Sequence, residues 1–263
     1  MSRSARKQAQ REAIEKAVRE QQRARWNPQL PPEELAHFRK SCERMFAVLE
    51  SVSRPAAVAV RPAHDQPTPR SHFGGAMLMA STDSWPQVDG RLLSGVMEIH
   101  LSELPTRPSP LEGFELLQVF LELKTRGDTP AYQGGNWAVR RIEKADGMSP
   151  MSHAPVVAEI PVAWNLQHDI PKYPDDLALI PGDVRNEFEK LPNWSALLAD
   201  RFPSSLSTRV GGWPQWVEGC GVDGTFCLQI DGFDVDIDLG FDGCLFFGFD
   251  EETQSWDCKW EIG

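Results

Sequence analysis

The spacing of apolar positions divides the chain into a helical beginning and a longer body of short strands. From Pro31 onward, Leu35, Phe38, Cys42, Met45, Phe46 and Leu49 recur at three- and four-residue intervals, which puts them on one face of a helix. Pro31, Pro32, Glu33 and Glu34 suit its first turn, where free backbone N–H groups favour negative charge and a missing donor costs nothing. Arg54-Pro55 closes it, because the residue before proline is driven out of the helical region. The apolar face predicts packing on the main body. Residues 4–25 are also compatible with a helix, with Glu12–Lys16 and Glu15–Arg19 four apart in the favourable orientation. Their apolar content is thin, so the segment reads as a solvated helix, a frayed arm or a docking helix. Trp26-Asn27-Pro28 ends it.

Beyond residue 55 the pattern changes to short apolar runs between turns. Strands are expected at 56–60, 95–101, 116–123, 137–142, 156–160, 226–230, 233–239, 245–249 and 256–260. In 233–239 the apolar Phe233, Val235, Ile237 and Leu239 alternate with Asp234, Asp236 and Asp238, the pattern of a half-buried strand. Two short helices, 183–191 and 193–201, form an insert between the strand groups. The strand groups resemble each other. Gly74-Gly75, Trp85-Pro86, Val96-Met97-Glu98-Ile99, Gly113 and Leu117-Gln118-Val119-Phe120 are followed later by Gly211-Gly212-Trp213-Pro214, Leu228-Gln229-Ile230, Gly243 and Leu245-Phe246-Phe247. The same order reads as an internal duplication. Each Gly-Gly pair is expected to supply positive φ or a close backbone approach. The fold class is therefore α+β: a β-rich body of two similar antiparallel sheet halves, with N-terminal helices and a helical insert. The boundaries are a helical segment at 1–54 and a β-rich domain at 55–263.

Charge narrows the partners. Lys and Arg number 27 against 38 Asp and Glu, a formal charge of −11. Nucleic acid is a poor partner for such a chain, since phosphate binding needs Lys and Arg, whereas a basic protein is a good one. The charge is polarised. Residues 1–25 hold eight Lys or Arg against three Glu, while residues 218–263 hold twelve carboxylates against Lys259 alone. Five cysteines, an odd number without a C-x-x-C, read as reduced thiols. No apolar run approaches the ~20 residues of a membrane span, and none follows the basic N-terminus as a secretory leader would require. A cytoplasmic protein with no membrane partner is expected.

Chemical signatures are few. The six histidines are scattered, with no H-E-x-x-H and no i,i+4 pair, so no metal site is expected from them. Gly219-Cys220-Gly221-Val222-Asp223-Gly224 matches G-x-G-x-x-G, but a dinucleotide loop needs a helix after it and here a strand is expected, which makes it a hairpin loop. Asp234, Asp236 and Asp238 resemble the start of a calcium loop. The positions that should be Gly and Glu are Leu239 and Leu245, so that reading fails. Three readings of these aspartates stay open: a solvated face, an acidic stripe that docks a cationic protein, and a cation site. Trp213 and Trp216 beside Gly and Pro are either packing residues or exposed anchors of an interface. No nucleophile–base pair is defensible, so no catalytic residue and no cofactor is assigned.

These landmarks together resemble the YwqG-like family of bacterial domains. Ser71-His72-Phe73-Gly74-Gly75 with Trp85-Pro86 is similar to its S-x-F-G-G…W-P opening. Residues 96–105 are similar to its A-Q-I-N-L-S-E-L-P strand, although Met97-Glu98 and His100 stand where the family has Ala-Gln and Asn. Residues 113–122 are similar to its G-x-L-Q-F-F strand, and the second-half landmarks follow. The resemblance spans about 55–263 and leaves the basic N-terminal segment outside. It implies a β-rich α+β body with N-terminal helices and carries over no catalytic residue. Some relatives are encoded beside secreted toxins and look like immunity proteins. The resulting expectation is a protein that neutralises a basic toxin domain by stoichiometric binding. Asp231, Asp234, Asp236, Asp238 and Asp242 are its expected contacts, with Trp213 and Trp216 as apolar anchors. The alternatives are a general interaction protein and, behind it, a metal-dependent enzyme using Asp236 and Asp238.

Overall fold

The computed structural model describes residues 13, 32–63, 67–126, 129–153, 157–171, 181–189, 207–217 and 221–263. The chain divides into two compact units. One comprises Met1–Arg54 and His168–Leu206, the other Pro55–Gln167 and Ser207–Gly263. In the first unit, α1 (Pro32–Ser51) buries Phe38, Cys42, Met45 and Leu49, the face its spacing predicts. It meets α2 (Gly182–Glu189), where Arg44 forms an ion pair with Asp183. Apart from Ala13, which is helical, the expected helix at 4–25 lies outside the described residues, as does the one at 193–201.

The strands are, in chain order, β1 (Arg54–Val60), β2 (His72–Phe73), β3 (Met77–Met79), β4 (Gln87–Val88), β5 (Arg91–Leu92), β6 (Ser94–His100), β7 (Leu116–Leu121) and β8 (Lys124–Arg126). Then come β9 (Thr129–Ala131), β10 (Trp137–Ile142), β11 (Ser149–Met151), β12 (Ile160–Pro161), β13 (Ala163–Asp169), β14 (Arg209–Gly211), β15 (Thr225–Asp231), β16 (Cys244–Asp250) and β17 (Ser255–Glu261). Two antiparallel sheets dominate. The first runs β12-β2-β6-β7-β10, and the second runs β13-β1-β14-β15-β16-β17.

The two sheets are built to one register. His72 pairs with Glu98 and Glu98 with Gln118; Arg209 pairs with Gln229 and Gln229 with Phe246. Each sheet has an irregularity at the matching place, between Gly95 and Met97 and between Phe226 and Leu228. Gly74, Gly75, Gly211 and Gly212 all take positive φ (57°, 72°, 70° and 74°), as the Gly-Gly pairs predict. The leading strands are exchanged: β1, which precedes the first half, lies beside β14, and β12, which precedes the second half, lies beside β2. Matching bonds fix this exchange, Ala59 N–H to the Thr208 carbonyl at 2.8 Å and Val162 N–H to the Ser71 carbonyl at 2.9 Å. One core lies between the sheets, with Met97, Ile99, Leu117 and Val119 from the first and Leu228, Ile230, Leu245 and Phe247 from the second.

Several expectations change. Residues 233–239 form turns and bends, not a strand, with one bridge from Asp238 to Ala131. The burial alternation survives because Val235, Ile237 and Leu239 fill the core while the aspartates stay nearer the surface. Of the run 156–160, only Ile160 is strand among the described residues. In the register, Gly211-Gly212 aligns with Gly74-Gly75 directly, so Trp213 corresponds to Ala76 and not to Trp85.

Candidate functional site

The expected docking residues separate. Trp213 and Trp216 are buried, and the Trp216 ring sits 4.5 Å from Phe246 on the outer face of the second sheet. They are packing residues and not exposed anchors. Asp231 is fully buried, and its Oδ1 accepts the Phe233 N–H at 3.1 Å. Asp234 Oδ2 accepts the Thr208 N–H at 2.7 Å, and Asp238 Oδ1 the Gly240 N–H at 3.1 Å. Asp231 and Asp238 thus hold their own loop, and Asp234 ties it to the residue before β14, since backbone N–H groups need acceptors. Asp236, Asp238 and Asp242 remain half-exposed. Between Asp238 and Asp242 lies Phe241, the most open large apolar residue among the described residues, at 76% exposure. It occupies a turn in which the Gly243 N–H reaches the Gly240 carbonyl at 3.4 Å. Asp242 supplies the left-handed position with φ 46°, a conformation aspartate tolerates better than most residues. Ile262, itself exposed, lies against Gly240.

A second constellation had no assigned role in the sequence. Glu98, at 1% exposure, stands on the outer face of the first sheet. Its Oε2 accepts the Leu78 N–H and the Gln118 Nε2–H, both at 2.7 Å. Its Oε1 faces His100 Nε2 at 3.5 Å and His72 Nε2 at 3.7 Å. His72 Nδ1 donates to the Gly74 carbonyl at 2.7 Å, since a carbonyl can only accept. A neutral His72 would therefore turn a lone pair toward the carboxylate, whereas the imidazolium turns a proton. Burial alone would lower the His72 pKa, but the Glu98 hydrogen bond, the Gly74 carbonyl and the charges of Glu98 and Glu159 raise it above the ordinary 6.5. Burial would likewise raise the Glu98 carboxyl. Hydrogen bonds from His100, His72, Leu78 and Gln118 outweigh it and hold the group at about 2. Arg140 continues the network, with Nη1 3.4 Å from Gln118 Oε1 and Nη2 paired with Asp83.

Ser71 sits beside this cluster without an imidazole partner for its hydroxyl. Its Oγ donates to Glu103 Oε2 at 2.7 Å and accepts the His100 N–H at 3.0 Å. The second sheet repeats that brace, with Thr208 Oγ1 accepting the Asp231 N–H at 3.1 Å. It also repeats the Leu78 contact, with the Gln215 N–H on Gln229 Oε1 at 2.9 Å. An amide therefore does in one half what the Glu98 carboxylate does in the other. The signal available in the sequence was a carboxylate and an imidazole two apart inside an otherwise apolar strand.

Among the described residues, no group of three or more His, Cys, Asp or Glu side chains is placed to hold a metal ion. Cys42, Cys227, Cys244 and Cys258 are free thiols, and burial pushes Cys227 up to about 12. No described helix is long and apolar enough to cross a membrane. Neither a protein-family model nor a curated protein matches this chain.

Proposed function

We propose that the chain is a cytoplasmic protein that binds and neutralises a basic toxin domain, one to one, by covering its working face. The observation that carries this reading is Phe241, open at the tip of a turn and flanked by the half-exposed Asp238 and Asp242. An aromatic side chain held in water offers contact area at little ordering cost, and aromatic residues are enriched at interface cores. The surrounding carboxylates, on a chain of net charge −11, favour a cationic partner and speed its capture. The resemblance to the YwqG-like family points the same way.

The test is survival. The product of the adjacent gene is expressed in a host with the wild-type chain, with Phe241→Ala, or alone. The reading requires killing by the product alone, rescue by the wild-type chain with co-purification, and weaker rescue by Phe241→Ala. A harmless neighbour, or killing that the chain does not relieve, favours a general interaction protein whose basic N-terminal segment mediates assembly.

A further inference from the structure

We infer that the His72–Glu98–His100 cluster is a proton-binding site that couples the hold on the Leu78 backbone to pH, a property the second sheet lacks. The two sheets share register, the Gly-Gly turn, the hydroxyl brace and the side-chain acceptor for a backbone N–H. They differ in which groups titrate: Asp231 stands in the second sheet where His100 stands in the first, and the second sheet has no imidazole there and no carboxylate at the acceptor position. The first sheet places His72 opposite Glu98, whereas the second places Arg209 opposite Gln229. Gln229 shows that a neutral amide suffices to hold the segment, so the charge at Glu98 is not demanded by the architecture. A buried carboxylate needs a counter-charge, and the proton on His72 supplies it.

Charged and titratable groups face the cluster from each neighbouring element. Glu159, just before β12, acts on His72. Glu103, after β6, acts on the His100 side through Ser71. Arg140 on β10, paired with Asp83, bears on Gln118. None of the carboxylates can replace the His72 proton, and Arg140 reaches Glu98 only through Gln118. Losing that proton leaves Glu98 with one donor fewer and weakens its grip on Leu78, whose carbonyl is held by Gln118 Nε2 at 2.7 Å.

Amide hydrogen exchange on the full chain, followed by NMR from about pH 6 to about pH 9, reads this directly. The Leu78 N–H reports the first sheet and the Gln215 N–H the second. After correction for intrinsic rates, Leu78 protection should fall once His72 deprotonates, by at most about tenfold per pH unit, the slope of one proton. Gln215 protection should stay level. Glu98→Gln, which copies position 229, should flatten the Leu78 profile and bring the His72 titration back toward its ordinary range. Should that variant fold poorly, His72→Arg, which copies position 209, should flatten the profile as well. A level Leu78 profile in the wild type, an unchanged slope in the folded variants, or Gln215 following Leu78 would each overturn the inference.

Discussion

Glu98 contributes to stability only while it is ionised, and the window follows from its neighbours. Its carboxyl lies at about 2 in the folded chain against an ordinary 4.5. The contribution is therefore present above about pH 4.5 and lost as pH falls toward about 2, a difference of ~3 kcal/mol at full effect. His72 is shifted the opposite way, raised above 6.5. Its contribution is present below about pH 6.5 and lost as pH rises through its folded value. Chemical denaturation across pH should thus show the wild-type chain losing stability relative to Glu98→Gln on both sides of a window from about pH 4.5 to somewhat above pH 6.5. Parallel profiles for the two proteins would show that the carboxylate carries no linked proton. At the same scale, burial separates Trp216 from Phe241. Trp216→Ala removes a packed ring from the second sheet and should cost about 3–5 kcal/mol. Phe241→Ala removes a side chain already in water and should change stability by less than ~0.5 kcal/mol. Comparable losses in urea denaturation would contradict the assignment of Phe241 to the surface.

The Gly-Gly turns show how elements were legible and where legibility stopped. Gly74 combines φ 57° with a backbone so close that a Cβ would lie 2.3 Å from the Ala158 carbonyl oxygen. Gly147 has φ 76° but open space around it. Gly74→Ala should therefore cost ~3 kcal/mol or more and Gly147→Ala about 1 kcal/mol, measured by the same denaturation. Equal costs would mean that the 158 carbonyl moves aside freely. The helix at 32–51 and the strands β6, β7, β10, β15, β16 and β17 could be read from periodicity because each carries its own apolar pattern. β2 and β14 are two and three residues long, too short for any pattern, yet they are the strands that place His72 and Arg209. The segment 233–239 misled for the opposite reason. Its alternation reports burial, which a turn resting on the core produces as well as a strand does. Trp213 and Trp216 lie in the irregular segment after β14, and their burial was not readable from the neighbouring Gly and Pro.

For the whole molecule, charge and symmetry lead to separate conclusions. The exchange of β1 and β12 interlocks the two halves, so neither sheet is complete without a strand from the other half of the sequence. Within the carboxylate-rich stretch 218–263, the connection between β15 and β16 carries the exposed Phe241 with Asp236, Asp238 and Asp242 near it in sequence. Net charge was readable at once, whereas the choice of contacts was not, because Asp231 is buried holding the Phe233 N–H and Asp234 holds the Thr208 N–H ahead of β14. The most direct measurement is the affinity of the purified chain for the adjacent gene's product across salt concentration, beside an Asp236→Lys, Asp238→Lys, Asp242→Lys variant shown to be folded. The expected result is a one-to-one complex that weakens with salt, and in the variant a slower association, a lower affinity and a flatter salt dependence. Absence of a complex, or an unchanged affinity in the folded variant, would contradict it.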